Sequence, residues 1–253
     1  MKKTGLIFII TIAYLLIFGE IVTGLFHISM KSGNVTLLWL LVQDLPLFLI
    51  MFVIYRWSKI KILWEHYPVL KSVGLLWYAL YTLVLSLPLN LLMRHEKISV
   101  WFTIGAALVA VVVGCVEEFI FRGLILGAII EKTHSLFIGI AVSAVLFGIS
   151  HSVNLAHQTV TATGIQMVYA TALGVFLAVL YLKSHLLLIP IIMHGAIDFT
   201  SLLVSQGSAN STTTVQQAMV LVVIIGITSG LFIVTGKKQI GSFKEKFLNK
   251  SVE

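Results

Sequence analysis

The sequence predicts an all-α fold: a polytopic membrane bundle of about eight transmembrane helices, forming a single domain over residues 1–253. Three observations predict it. Hydrophobic residues make up 58% of the chain and charged residues only 11%, whereas soluble domains carry about 25% charged residues. The mean hydropathy is +1.04. Apolar runs of about 20 residues recur along the chain, and each is long enough to cross a hydrocarbon core of about 30 Å as a helix.

Each apolar run is interpreted as a helix because a helix satisfies its own backbone hydrogen bonds, which lipid cannot do. The first run follows Lys2 and Lys3 and lacks a convincing signal-peptide cleavage site, so it is interpreted as an uncleaved anchor. The predicted spans are 5–28, 36–56, 72–93, 98–131, 135–152, 162–183, 185–204 and 215–236.

The Lys and Arg residues divide unequally between the two ends of these spans. Of the 17, 13 fall on one side, Lys31, Arg94 and Lys97 fall on the other, and Arg122 lies inside a span. Because basic loops face the cytoplasm, both termini are predicted to be cytoplasmic, in a bacterial cell membrane. The net charge of +7 follows this topology, so we expect the lipid bilayer as a partner and no nucleic acid. The single cysteine, Cys115, cannot form an internal disulfide.

Three ionisable residues stand close together inside the fourth span. Glu117, Glu118 and Arg122 would each cost about 2.5–3.5 kcal/mol to insert, so they must be paired or hydrated. Glu118 and Arg122 are four residues apart and are predicted to form an ion pair, while Glu117 points about 100° away around the helix. The alternative is a purely architectural polar cluster. Glu20 and Asp44 also lie in predicted spans, where they either pair with each other or line a cavity.

Two later spans carry further ionisable side chains. His151 ends the fifth span, and such a histidine is either a packing residue or a ligand. His194 and Asp198 are four residues apart and therefore share a helical face. This pair is either a histidine held by a carboxylate, or two groups directed at one metal ion or water.

Together these residues form an ordered set of motifs on successive helices. The set resembles the three motifs of the CPBP family, which includes the type II CAAX prenyl endopeptidases, bacteriocin-processing and immunity proteins, and Abi proteins. The resemblance covers residues 98–204. The motifs are Glu117-Glu118-x-x-x-Arg122, Phe147-x-x-x-His151 and His194-x-x-x-Asp198.

The resemblance implies an intramembrane endopeptidase. It implies that Glu117 activates a water molecule for attack on a peptide carbonyl, and that Glu118 and Arg122 orient their helix. The catalytic set that it implies is completed by His151, His194 and Asp198.

Two mechanisms remain open at this point. In one, His151, His194 and Asp198 are candidate ligands of a divalent metal such as zinc, with an open position for water. In the other, Glu117 activates water directly and His194 stabilises the oxyanion without a metal. The third motif of the family accepts Asn or Asp at its last position, and Asp198 is the better metal ligand of the two.

The substrate is predicted by class only. The charge count places the site in the outer half of the membrane, whereas eukaryotic CAAX processing occurs at the cytosolic face. A leader peptide or another membrane-associated peptide is therefore favoured over a CAAX tail. The alternatives are a non-catalytic immunity or regulatory protein that binds a peptide or sensor kinase, and a proton-coupled transporter.

Overall fold

The computed structural model describes residues 2–26, 33–65, 98–206 and 215–249. Within these ranges the regular secondary structure is helical, apart from one isolated bridge between Trp64 and Leu186. A π-helical turn, Phe119–Ile125, joins α3 to α4, and a 3-10 turn, His151–Ala156, follows α5. The helices are α1 (Lys2–Phe26), α2 (Gly33–Ser58), α3 (Val100–Glu118), α4 (Leu126–Thr133), α5 (Leu136–Ser150), α6 (Val160–Ser184), α7 (Leu188–Ser205), α8 (Val215–Thr235) and α9 (Lys237–Asn249).

The predicted polytopic helical bundle is confirmed. In the described ranges, 7 helical segments are long and apolar enough to cross a membrane, and they match seven of the eight predicted spans. The segment that contains α3, the π turn and α4 is 34 residues long. The other predicted span, 72–93, lies outside the described residues, and so does the side chain of Glu20.

The turns between successive spans carry recognisable helix caps. The side chain of Ser135 accepts a hydrogen bond from the backbone N–H of Ile138 at the start of α5, and Thr159 does the same for Ala162 in α6. At the ends of α4 and α6, His134 and His185 adopt positive φ values of 52° and 57°. Such left-handed residues end a helix because its last carbonyls find partners there.

The bundle has an apolar exterior, and its interior encloses charged side chains among apolar ones. Val223, Ile227 and Leu231 of α8 form an exposed apolar stripe, as expected of a surface that faces lipid. By contrast, Glu118 and Arg122 are 0% exposed. Intramembrane charges usually face the bundle interior in this way.

A close contact between two glycines joins α3 to α7. A Cβ atom placed on Gly114 would lie 3.0 Å from the backbone nitrogen of Gly195 and 3.0 Å from the carbonyl oxygen of Ile191. A Cβ atom on Gly195 would lie 3.0 Å from the carbonyl oxygen of Ala110. Small residues let membrane helices approach closely, and this contact places the start of α7 against the end of α3.

The basic ends of the helices come together at one end of the bundle, called here the basic end. Lys61 donates from Nζ to the carbonyl oxygen of Phe247 at 2.8 Å, which ties the end of α2 to α9. The backbone nitrogen of Lys61 also donates to Glu131 of α4. Because α3 begins about 50 Å from the end of α4, the described residues on either side of the predicted span 72–93, Glu65 and Val100, lie at opposite ends of the bundle.

Candidate active site

The four predicted catalytic side chains, which come from three different helical segments, line one cavity. Its volume is about 480 Å³, within the range of small-molecule and peptide sites. The four residues are Glu117 at the end of α3, His151 after α5, and His194 and Asp198 in α7. The cavity wall extends to Thr36, His157 and Ser205, which stand at the end of the bundle opposite the basic end.

Behind this wall lies a fully buried ion pair. Oε1 of Glu118 accepts a hydrogen bond from Nη1 of Arg122 at 2.6 Å, and both side chains are 0% exposed. The predicted ion pair between these residues is therefore confirmed. Arg122 lies in the π-helical turn, where its Nη2 donates to the carbonyl oxygen of Gly174 in α6 at 3.3 Å. The pair thus links the helix that carries Glu117 to α6.

His194 connects the buried ion pair to the cavity. Its Nδ1 lies 2.8 Å from Oε1 of Glu118. Since the carboxylate of Glu118 is paired with Arg122 and can only accept, Nδ1 of His194 must be the donor. The other ring nitrogen, Nε2, lies 3.5 Å from Oε2 of Glu117 and 3.5 Å from Oδ2 of Asp198. His194 is thus held on one side and presented to two carboxylates on the other.

Phe147, the first residue of the second motif, packs against most of this cluster. Its ring centroid lies 5.6 Å from that of His194 and 5.1 Å from that of His151, both edge to face. The guanidinium of Arg122 lies 4.5 Å from the same ring centroid, within the range of a cation–π interaction. Phe147 therefore fixes the orientation of side chains from three segments.

His151 has a defined tautomer. Its Nδ1 lies 2.9 Å from the carbonyl oxygen of Phe147. A carbonyl oxygen can only accept, so Nδ1 carries the hydrogen and Nε2 is the nitrogen left for the cavity. His151 can therefore accept a proton from a bound molecule, or hold one there.

The described side chains of the cavity do not by themselves identify a metal site. Among the described residues, no group of three His, Cys, Asp or Glu side chains is placed so that it could hold a metal ion. Nε2 of His194 lies 3.5 Å from Oε2 of Glu117 and 3.5 Å from Oδ2 of Asp198, a separation that two ligands also have when each lies about 2.0–2.3 Å from one tetrahedral zinc ion. Metal dependence, with His151, His194 and Asp198 as the candidate ligands, therefore stays a prediction.

The cavity wall also includes polar residues that the motifs do not contain. Asn154 donates to Oε1 of Gln166 at 2.9 Å, which joins the 3-10 turn to α6. Tyr169 and Asp44 also line the cavity. For Asp44 the sequence carried a signal, since a carboxylate inside a span is unusual. Asn154, Gln166 and Tyr169 carried none, because polar residues near helix ends are common.

Comparisons with known proteins agree with the motif analysis. Residues 99–200 match the family model described as "Type II CAAX prenyl endopeptidase Rce1-like". A stretch of 117 residues is 34% identical to a protein of Bacillus subtilis (strain 168) named "Putative membrane peptidase YdiL", and it covers 46% of this chain and 42% of that protein. The chain thus matches less than half the length of this curated relative. No solved structure matches the chain. The resemblance to the CPBP family is confirmed over the segment that holds all three motifs.

Proposed function

We propose that this protein is an intramembrane endopeptidase that hydrolyses a peptide bond in a membrane-associated or leader-peptide substrate. The observation that carries the proposal is the cavity in which Nε2 of His194 faces Glu117 and Asp198, each at 3.5 Å. The matches to a prenyl endopeptidase model and to a membrane peptidase support hydrolysis of peptides in general.

In the proposed reaction, Glu117 is the general base. Its carboxylate takes a proton from a water molecule while the water oxygen attacks the carbonyl carbon of the substrate. The C–N bond then breaks as Glu117 returns that proton to the leaving nitrogen. Glu117 suits this role because its side chain is 31% exposed to the cavity, whereas Glu118 beside it is fully buried.

His194 stabilises the oxyanion that forms on the substrate. In its protonated form, Nδ1 donates to Glu118, and Nε2 donates to the oxyanion in the cavity. A donor that is already oriented stabilises developing charge without reorganising. The Glu118–Arg122 pair supplies that orientation, so we assign both residues a positioning role.

His151 and Asp198 complete the proposed site. Nε2 of His151 accepts a hydrogen bond from the attacking water, because Nδ1 already donates to the backbone. The carboxylate of Asp198 stabilises the charged form of His194, which lies one helical turn before it. The reaction written in this way needs no metal. If a metal is required, His151, His194 and Asp198 are the residues that would hold it, and it would supply a Lewis acid.

The test compares cells that carry the wild-type protein with cells that carry Glu117→Gln. Peptides released from the membrane and secreted fraction are identified by mass spectrometry. We expect at least one fragment to depend on the wild type, and its amount to fall by about 10²- to 10⁴-fold in the variant, as for loss of a general base. Glu245→Gln, an exposed change in α9, is the matched control and should release the same fragment.

Identical peptide profiles at equal protein abundance would contradict the proposal and favour a non-catalytic immunity or regulatory protein. If a fragment does depend on the wild type, its cleavage by the purified enzyme shows whether a metal ion is required. Cleavage that survives a strong chelator supports the metal-free reaction. Cleavage that the chelator abolishes and added zinc restores supports the metal-dependent reaction.

A further inference from the structure

Helix α2, which precedes the segment matched by the family model, contributes a buried carboxylate to the cavity. Asp44 lines the cavity and is only 6% exposed. Two residues later, Pro46 lies inside α2, where proline removes a backbone donor and opens the helix. Tyr14 of α1 donates its hydroxyl hydrogen to the carbonyl oxygen of Gln43 at 2.9 Å. This contact lies next to Asp44, within one helical turn of Pro46.

Asp44 has no cationic partner in the described part of the chain. The salt bridges there join other residues, and the side chain of Gln43 is its hydrogen-bonding neighbour. The buried cation Arg122 is bound to Glu118 and does not line the cavity. A carboxylate in a membrane span usually pairs with a cation. A charged Asp44 therefore lacks the cationic partner that is expected for it.

Among the described residues of the cavity wall, histidines are the only side chains besides the carboxylates that can carry a charge near neutral pH. Asp44, Glu117 and Asp198 line the cavity, and none of the described residues that line it is Lys or Arg. Three further polar atoms of the wall, Nε1 of Trp39, Oε1 of Gln158 and Oδ2 of Asp198, are buried without a hydrogen bond in the described structure. Unpaired buried polar atoms are rare in folded proteins. A ligand with a cation and backbone amides would pair all of these groups.

Resting on the proposed function, we propose that Asp44 binds an ammonium or guanidinium group of the peptide substrate and so makes the enzyme selective for a cation close to the scissile bond. The juxtaposition that carries this is the buried carboxylate of α2 in the same cavity as Glu117. Such a cation comes from a Lys or Arg side chain, or from a free peptide N-terminus. In either case the substrate is a basic peptide rather than a neutral one.

The test uses purified full-length protein in liposomes and peptides anchored by a C-terminal palmitoyl-lysine amide whose side chain carries the lipid. The central sequence of each peptide is randomised except at one position, which is Lys, Arg, Gln or norleucine. Every peptide is made in two forms, with a free and with an acetylated N-terminus. For the wild type we expect kcat/KM for the Lys or Arg peptides to exceed that for the Gln peptides at least tenfold. If the N-terminus is the cation instead, acetylation should lower kcat/KM at least tenfold for all peptides, whatever the central residue.

Asp44→Asn should reduce that ratio to below about threefold, mainly by raising KM for the basic peptides. Asp44→Glu should retain most of the preference. A purely structural role of Asp44 would lower cleavage of all peptides alike and leave the ratio unchanged, which would overturn the inference.

Binding to the Glu117→Gln protein separates this inference from the proposed hydrolysis. Basic peptides should bind that protein at least tenfold more tightly than Gln peptides, and the added change Asp44→Asn should remove the difference. If binding shows this selectivity while the wild type cleaves no peptide, the inference stands and the proposed function fails. If the wild type cleaves but neither cleavage nor binding depends on Asp44, the proposed function stands and the inference fails.

Discussion

Glu117 and Glu118 are adjacent in the chain but occupy opposite environments. Glu118 faces the bundle interior, where its Oε1 accepts from both Arg122 and His194. Glu117 faces the cavity with a side chain that is 31% exposed. Since successive helical residues point about 100° apart, one turn of helix supplies both a buried anchor and a reactive carboxylate.

This division predicts different effects for the same substitution at neighbouring positions. Glu118→Gln removes the anion from Arg122, which stays fully buried, and breaking such a pair costs about 3–5 kcal/mol. Glu117→Gln leaves the pair intact and should change stability little. Thermal unfolding in detergent should therefore show a large loss for Glu118→Gln, and values near the wild type for Glu117→Gln and for the exposed control Glu245→Gln. An equal loss for Glu117→Gln and Glu118→Gln would contradict the assignment.

The sequence predicted contacts along a helix better than contacts between helices. The pair of Glu118 and Arg122 followed from their spacing of four residues. The hydrogen bond between His194 and Glu118 joins residues 76 positions apart, and no local pattern encodes it. The roles of Phe147 as a shared packing surface and of Asp44 as part of the cavity wall depend in the same way on which helices meet.

At the scale of elements, the approach of α3 to α7 controls the site. Gly114→Ala places a Cβ atom 3.0 Å from backbone atoms of α7, which cannot move as freely as a side chain. Overpacking of this kind costs about 1–3 kcal/mol, and it should displace His194, which adjoins Gly195. We expect a lower melting temperature and at least a tenfold loss of peptide cleavage.

Gly226→Ala in α8 is the matched control for this change. A Cβ atom there meets nothing within 4 Å, so the substitution adds a helix-forming residue without a clash. Its stability and activity should equal or exceed those of the wild type. Equal behaviour of the two variants would show that the glycine contact does not position the site.

Helix positions were predictable because lipid forces each apolar run to be helical, and the alternation of basic loops set their number. Departures within helices were not predictable. The π-helical turn Phe119–Ile125 is apolar except for Arg122, and π-helical turns occur frequently at functional sites. The predicted spans end at residue 236, but α9 follows them and buries Phe243 and Phe247 in the bundle. Its aromatic spacing of four residues was the available signal.

At the scale of the whole molecule, α9 is fastened to the basic end through Glu65. Oε2 of Glu65 accepts from Nζ of Lys246 at 2.8 Å and lies 3.1 Å from Nδ1 of His185. Partial burial raises the pKa of Glu65, but the hydrogen bonds and charges of Lys246 and His185 outweigh it and hold the pKa below its usual value. The contact therefore joins α6, α9 and the segment after α2.

The direction of this pKa shift fixes a pH dependence. A carboxylate with a lowered folded pKa contributes its full stability above its unfolded pKa of about 4.3, and loses it as the pH falls through the folded value. Because Lys246 is 45% exposed, the contribution is about 0.2–1 kcal/mol. Glu65→Gln should lower the melting temperature slightly at pH 7 and match the wild type at pH 3. A difference that persists at pH 3 would show that the charge of Glu65 is not responsible.

The clustering of basic residues at one end also predicts how the protein lies in the membrane. The cavity wall reaches His157 and Ser205 at the opposite end, so a cytoplasmic basic end would open the proposed site to the other side. The only cysteine, Cys115, is replaced by alanine, and a new cysteine is introduced at exposed Thr161 or at exposed Lys244. In intact cells, a membrane-impermeant maleimide should label Thr161→Cys, and should label Lys244→Cys only after permeabilisation. The reverse pattern would place the cavity opening on the cytoplasmic side, where a cytosolic peptide tail, rather than a leader peptide outside the membrane, would become the expected substrate.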